Sequence, residues 1–315
     1  MSPDRRHSRA LGLVLGHLAD RAFGDPRRGH PVALFGTAAA ALERRLYADS
    51  RARGVVHLAV LVGAVTATGA IAERRAGNRF VVHTLLTAAA TWTVLGGTSL
   101  GREARAVHDL LASGDLPGAR QRLTHLVGRD PTHLDAAEVS RATVESVAEN
   151  TSDAVVAPLV WGAVLGAPGL LGYRAANTLD AMVGHRGERY GRFGWASARF
   201  DDLLNLPGAR LSGLLAAALA PVVGGSPTAA IGAWARDARH HPSPNAGVVE
   251  AAFAGALGVR LGGRNHYPHG VEDRVLLGDG PPPTTDDIDR SVHLADQVGT
   301  GAVVVAVLLA LRKGR

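Results

Sequence analysis

Three clusters of acid and amide side chains recur within one short stretch of this chain. They are Glu149-Asn150-Thr151-Ser152-Asp153, Asn177-Thr178-Leu179-Asp180 and Arg199-Phe200-Asp201-Asp202. A site that gathers Glu149, Asp153, Asp180, Asp201 and Asp202 concentrates negative charge that has to be neutralised. Mg²⁺ suits it, because that ion takes hard oxygen ligands, keeps waters and commonly bridges carboxylates to phosphates. Arg174, Arg186, Arg189, Arg192 and Arg199 flank the acids, and guanidinium forks match phosphate or carboxylate groups. Acids, Mg²⁺ and arginines together predict phosphoryl transfer or activation of a carboxylate by a nucleotide. Asn150 and Asn177 are suited to orienting a substrate amide or carboxylate. Taken singly, such residues also serve as helix N-caps or surface ion pairs. Three clusters separated by apolar runs favour a site.

Composition removes several competing chemistries. There is no Cys, which excludes disulfides, thiolate metal sites and thioester chemistry. The only Lys is Lys313, so neither a P-loop Lys nor a Schiff-base Lys is on offer. Few His fall in the acidic clusters, which argues against Zn²⁺. The net charge of +6 fits nucleic acid or an anionic membrane surface. Aromatic residues make up 4% of the chain and none interleaves with a basic block, so nucleic acid is set aside.

The elements that must position these clusters read as helices, several in a bilayer. Hydrophobic residues make up 46% of the chain and charged residues 20%, while mean hydropathy is only +0.08. That balance predicts a few membrane segments with long polar loops. Val55–Ala72 and Phe80–Leu100 each approach the roughly 20 residues a crossing needs. The turn from Glu73 to Arg79 joins them as a helical hairpin. Ser291–Leu311 is the last apolar helix, and Met1–Asp20 reads as a retained helix, not a signal peptide. Gly114-Asp115-Leu116-Pro117-Gly118 breaks an amphipathic stretch from Gly101 to Ser140.

Two other apolar runs are awkward crossings. Ala154–Gly172 carries Pro158 and Pro168 among its glycines, and Leu211–Gly224 is short and carries Pro221. Both are expected to be core or re-entrant helices. If Ala154–Gly172 crossed, Asp153 and Asp180 would lie on opposite faces. With neither run crossing, residues 101 to 290 share one face with Asp25 and His30, taken as cytoplasmic. Arginine counts in the loops agree in part. The fold class is therefore all-α: one multi-helix integral membrane domain over residues 1–315, with helical cytoplasmic loops and re-entrant segments.

The run ENTSDAVVAPLVWGAVLGAPG and the run YRAANTLDAMVGHRGERYGRFGWASARFDDLLNLPGARL closely resemble the CobD/CbiB family of cobalamin biosynthesis. The earlier GDPRRGHPV and the later HPSPNAG and EAAFAGALGVRLGG resemble its other landmarks in the same order. Ala154 and Val248 depart from the family pattern without removing a charge. The resemblance implies an integral membrane ligase of the cell inner membrane, an adenosylcobinamide-phosphate synthase. Such an enzyme uses ATP and Mg²⁺ to join the propionate carboxylate of adenosylcobyric acid to aminopropanol or its phosphate. Its implied partners are that corrinoid, the amine, the lipid bilayer and other membrane enzymes of the pathway.

On that basis Glu149, Asp153 and Asp180 are expected to hold Mg²⁺, and Asp201 or Asp202 to act as base for the incoming ammonium. Arg189 and Arg199 are expected on phosphate groups, with Asp25, His30, Asn150, Asn177 and Asn245 around the substrate. The rival reading is a membrane corrinoid-binding or transport protein of the same pathway without ligase activity, whose broken helices would resemble a transporter's.

Overall fold

The computed structural model describes residues 3–25, 29–185, 187–267 and 270–312, with the side chains of 264–273 excluded. Pro26, Arg27 and Arg28 of the early Gly-Asp-Pro motif, and Arg186, lie outside the described residues. In chain order the helices are α1 (Pro3–Phe23), α2 (Pro31–Leu46), α3 (Arg51–Ala76), α4 (Phe80–Val94), α5 (Gly97–Ala112), α6 (Leu116–Leu123) and α7 (Ala136–Thr151). A π-helical turn, Ser152–Val156, leads into α8 (Ala157–Leu165), α9 (Ala167–Val183) and α10 (Trp195–Leu219). Then come α11 (Pro227–Asp237), α12 (Ala246–Leu257), the strands β1 (Leu261–Tyr267) and β2 (Gly270–Leu277), and α13 (Thr285–Leu311). The chain is interleaved between two compact units. The first is Met1–Gly96, Ala157–Asn205 and Ala302–Arg315; the second is Gly97–Val156 and Leu206–Gly301.

In the first unit, α1 packs along α4 at a distance set by small residues. A Cβ at Gly12 would meet Thr87 Cβ at 2.5 Å, and one at Gly16 would meet Thr91 Cβ at 2.4 Å. Small residues four apart allow this approach between apolar helices. The expected hairpin is present as α3 and α4, and Val55, Val56, Val60 and Ile71 stay exposed along α3. An apolar surface of that kind on a long helix belongs against lipid.

Ala154–Gly172 folds back, as its prolines and glycines predict. Gly166 has φ +72° and separates α8 from α9, which pack on each other. The polar groups freed at the break are satisfied from other helices. Arg9 Nη1 donates to the carbonyls of Ala163 and Val164 at 3.2 and 3.0 Å. Ala167 N donates to Glu73 Oε1 at 2.9 Å. A Cβ on Gly166 would lie 2.0 Å from that same Glu73 oxygen. The break is thus clamped by one cation and one anion, the partners that orphaned helix ends require.

Leu211–Gly224 corrects the expectation. It is not a short re-entrant piece but the second half of α10, extended by a 3₁₀ turn at Ala220–Val223. Pro207 sits inside this helix, and the interruption it makes in the sequence does not end the helix. Among the described residues, four helical stretches are long and apolar enough to cross a membrane: Arg51–Ala76, Phe80–Ala112, Trp195–Val223 and Thr285–Leu311. The parity reasoning that put residues 101 to 290 on one face required Leu211–Gly224 to be too short to cross, so that premise fails.

The second unit holds the β1–β2 hairpin, a small antiparallel exception to the all-α expectation. It also holds the break at Gly114, where Asp115 caps α6 by accepting from Gly118 N at 2.9 Å. At the start of α7, Asp135 and Glu138 form a reciprocal capping box, which fixes where this helix begins.

Candidate active site

The first unit brings together most of the second and third acidic clusters. Asn177 and Asp180 lie one turn apart on α9, and the chain returns through residues 184–194 into α10, which carries Arg199, Asp201, Asp202 and Asn205. A cavity of about 430 Å³ opens there, with Gly184, His185, Tyr190, Trp195, Arg199 and Asp202 in its lining. That volume falls in the range typical of small-molecule sites.

The adjacent acids Asp201 and Asp202 part company. Asp201 is buried, and both of its carboxylate oxygens are taken: Asn205 Nδ2 donates to Oδ2 at 2.8 Å and Asn177 Nδ2 to Oδ1 at 3.4 Å. Tyr173 Oη in turn donates to Asn205 Oδ1 at 2.6 Å. Asp202 instead lines the cavity, 3.5 Å from Arg199 Nη1. Asp201 therefore orders the helix pair, while Asp202 and Arg199 present opposite charges to whatever enters.

Asp180 lies at the edge of the same cavity. A Cβ on the lining residue Gly184 would fall 1.8 Å from Asp180 Oδ1, so the glycine leaves the carboxylate its room. Asp180 and Asp202 are hard oxygen donors fit for Mg²⁺, which needs only one or two carboxylates beside substrate phosphates. Among the described residues no three His, Asp or Glu side chains gather as a metal-holding group.

Other expected residues have employment within the fold. Arg189 donates to Glu43 Oε1 at 3.1 Å and lies over the rings of Tyr47 and Tyr190, at 4.5 and 5.3 Å. His30 Nδ1 accepts from Val32 N at 3.2 Å as the N-cap of α2, and its Nε2 is 3.7 Å from Asp25.

Glu149, Asn150, Asp153 and Asn245 belong to the second unit. Asn150 Nδ2 donates to Ser146 O at 2.9 Å, and Asn245 Oδ1 accepts from Arg210 Nη1 at 2.6 Å. Asp153 sits half-buried on the π-helical turn, a distortion that often accompanies functional positions. Glu149 is exposed at the end of α7.

The sequence reading missed a buried charge network in this unit. Glu145 accepts from Arg129 Nη2, from Arg141 Nη1 at 3.1 Å and from Gly262 N at 2.8 Å. On α12, Glu250 is buried and faces His241 Nε2 at 3.9 Å. His241 Nδ1 lies 3.1 Å from Ser243 N and 3.3 Å from Ser243 O. Burial, then the charges of Glu145 and Glu149, push the Glu250 carboxyl well above its ordinary value, against Arg274 and Arg129. Burial likewise lowers His241. A lone acid inside an apolar helix, as in VVEAAFAGAL, is the signal that could have found it.

Glu250 gives a pH prediction. A carboxyl raised in the fold binds a proton that the unfolded chain has lost, so stability falls as pH rises from 4.5 towards the raised value. Glu250→Gln copies the neutral form. Its thermal unfolding temperature should match the parent's near pH 5 and exceed it by a few degrees at pH 8, about 1 kcal/mol or more. A difference that does not change with pH would remove the neutral-acid assignment.

A family model described as "CobD/Cbib protein" matches residues 13–295. The chain is 55% identical over 306 residues to the cobalamin biosynthesis protein CobD of Mycobacterium tuberculosis, covering 97% of each chain. It is 50% identical over 270 residues to a protein of that name from Geobacter metallireducens, covering 83% of this chain and 84% of that one. With a Rhodobacter capsulatus protein, also so named, it shares 43% over 310 residues, or 96% and 98% of the two chains. No solved structure matches.

Proposed function

We propose that this chain, which belongs to the CobD/CbiB family and so to cobalamin biosynthesis, is an ATP-dependent ligase. It would join the propionate carboxylate of adenosylcobyric acid to aminopropanol or its O-phosphate, giving adenosylcobinamide or its phosphate. The observation that carries this is the polar cavity in which Arg199 and Asp202 face the same space with Asp180 at its edge.

ATP is the co-substrate that turns the corrinoid carboxylate into an acyl phosphate. Mg²⁺, when bound at Asp180, supplies neutralisation of phosphate charge. Arg199 orients phosphate oxygens by paired N–H donors. Asp202 takes the proton from the substrate ammonium, and the freed amine nitrogen attacks the acyl carbon while phosphate leaves. Asp201, held by Asn177 and Asn205, fixes the helix on which Asp202 rides. The four apolar helices make this a membrane protein, and we assign the membrane to the cell inner membrane with the cavity on the cytoplasmic side, where ATP is.

Purified protein in detergent should consume ATP only when both the corrinoid acid and the amine are present, with an amide product by mass spectrometry. Corrinoid binding with no amine-dependent ATP consumption would return the chain to a corrinoid-handling role.

A further inference from the structure

One wall of the candidate active site is held from behind by a residue that the ligation does not use. Residues 187–194 run in successive turns between α9 and α10. Gly187, Tyr190 and Gly191 of this strap line the cavity alongside Trp195, Arg199 and Asp202 of α10. Gly187 has no side chain to anchor it, and a Cβ there would meet nothing within 4 Å. A segment of turns depends on side-chain contacts for its position. Those contacts come from α2 and the corner after it. Tyr190 Oη donates to Glu43 Oε1 at 2.8 Å, and Arg189 Nη2 donates to the same oxygen at 3.1 Å. Tyr47 Oη donates to Arg189 O at 2.9 Å, and the Tyr47 ring stands edge-on to Tyr190 with 6.4 Å between centroids. Ala39 and Glu43 are the buried residues of α2. Among the described residues the Glu43 carboxylate bonds only to the strap. Burying a carboxylate is costly and adds little net stability beside a well-packed apolar residue. What Glu43 contributes is the position of the strap.

We infer that Glu43 is a positioning residue of the cavity, holding the strap in place through the Tyr190 hydroxyl and the Arg189 guanidinium. It touches no reacting atom. The inference rests on the ligation reading for what enters the cavity, and on the contacts above for the clamp itself. A substrate then meets a wall already in place and spends no binding energy on ordering it. Without Glu43 that ordering cost falls on binding, so KM rises while the step carried by Asp202 and Arg199 keeps its rate.

The test compares the full chain in detergent with Glu43→Ala, Glu43→Gln, Tyr190→Phe and the double variant of Glu43→Ala with Tyr190→Phe. Amide formation gives kcat and the KM of ATP, corrinoid acid and amine, beside the unfolding temperature of the same samples. Trypsin cleavage after Arg189 and Arg192, without substrates, reads the strap directly. Glu43→Ala should raise the KM of at least one substrate about tenfold, with kcat within about twofold of the parent. Its strap should be cut about tenfold faster. Glu43→Gln keeps an acceptor for Tyr190 and should recover part of both effects. Tyr190→Phe should raise the same KM, and the double variant should go no further than Glu43→Ala alone, because the two act along one path. A lower unfolding temperature and kcat with every KM unchanged would make Glu43 an ordinary structural residue and overturn the inference. So would strap cleavage at the parent's rate, or a double variant whose KM effect is the product of the single ones. Absent turnover in the parent would sink the ligation reading by itself, and the cleavage rates would still decide whether Glu43 holds the strap.

Discussion

Glu145→Gln is expected to lower the thermal unfolding temperature by roughly 10 °C, the equivalent of about 3–5 kcal/mol. Glu145, Arg129 and Arg141 are all buried. The carboxylate accepts from both guanidinium groups and from Gly262 N, while Arg141 Nη1 also donates to Gly262 O at 2.7 Å. A Gln keeps one acceptor oxygen and sets an NH₂ against the remaining donors. Two cations are then left buried without their anion, which is the costly way to break such a group.

Burial pushes the Glu145 carboxyl up, but Arg129 and Arg141 outweigh it and hold the pKa below the ordinary 4.5. Its contribution is therefore complete above pH 4.5 and is lost as pH falls through the lowered value. Scanning fluorimetry of parent and variant from about pH 7 downward should show a wide gap that narrows only in acid. An unchanged unfolding temperature at neutral pH would mean that the network does not hold α7 to β1.

What could be read from the sequence divides by the range of the interaction. The fold-back of Ala154–Gly172 was legible because Gly166 and Pro168 act on their own backbone. The acidic clusters were legible because their members are close in sequence. The facing of Asp201 and Asp202 was not, since neighbours on a helix point about 100° apart. Only packing decides which of the two turns inward, here Asn177 and Asn205 on one side and the cavity on the other. The network around Glu145 was hidden for a different reason, as Gly262 lies 117 residues away along the chain and no local pattern records it. The length of α10 was misread because only the apolar run Leu211–Gly224 with its Pro221 was weighed, whereas the helix begins at Trp195 and continues through Pro207, since packing overrides the local signal.

Asp202→Asn and Asp201→Asn should fail in opposite ways. Asp202 lines the cavity and pairs with the exposed Arg199, so its neutral isostere changes little in packing. Its loss removes the group that accepts the ammonium proton, a contribution of about 10²-fold or more in turnover. Asp201→Asn presents an NH₂ to two amide donors, Asn177 Nδ2 and Asn205 Nδ2. One hydrogen bond must then become a contact between donors in a buried place, at about 1–3 kcal/mol. The first variant should keep its unfolding temperature and lose amide formation. The second should unfold several degrees lower and keep measurable turnover at low temperature. Amide formation followed by mass spectrometry, beside thermal unfolding of the same samples, separates the two. Asp202→Asn with turnover within about twofold of the parent would take the base away from Asp202. Asp201→Asn that is inactive at full stability would give that role to Asp201 instead, and the inward carboxylate would be the reacting one.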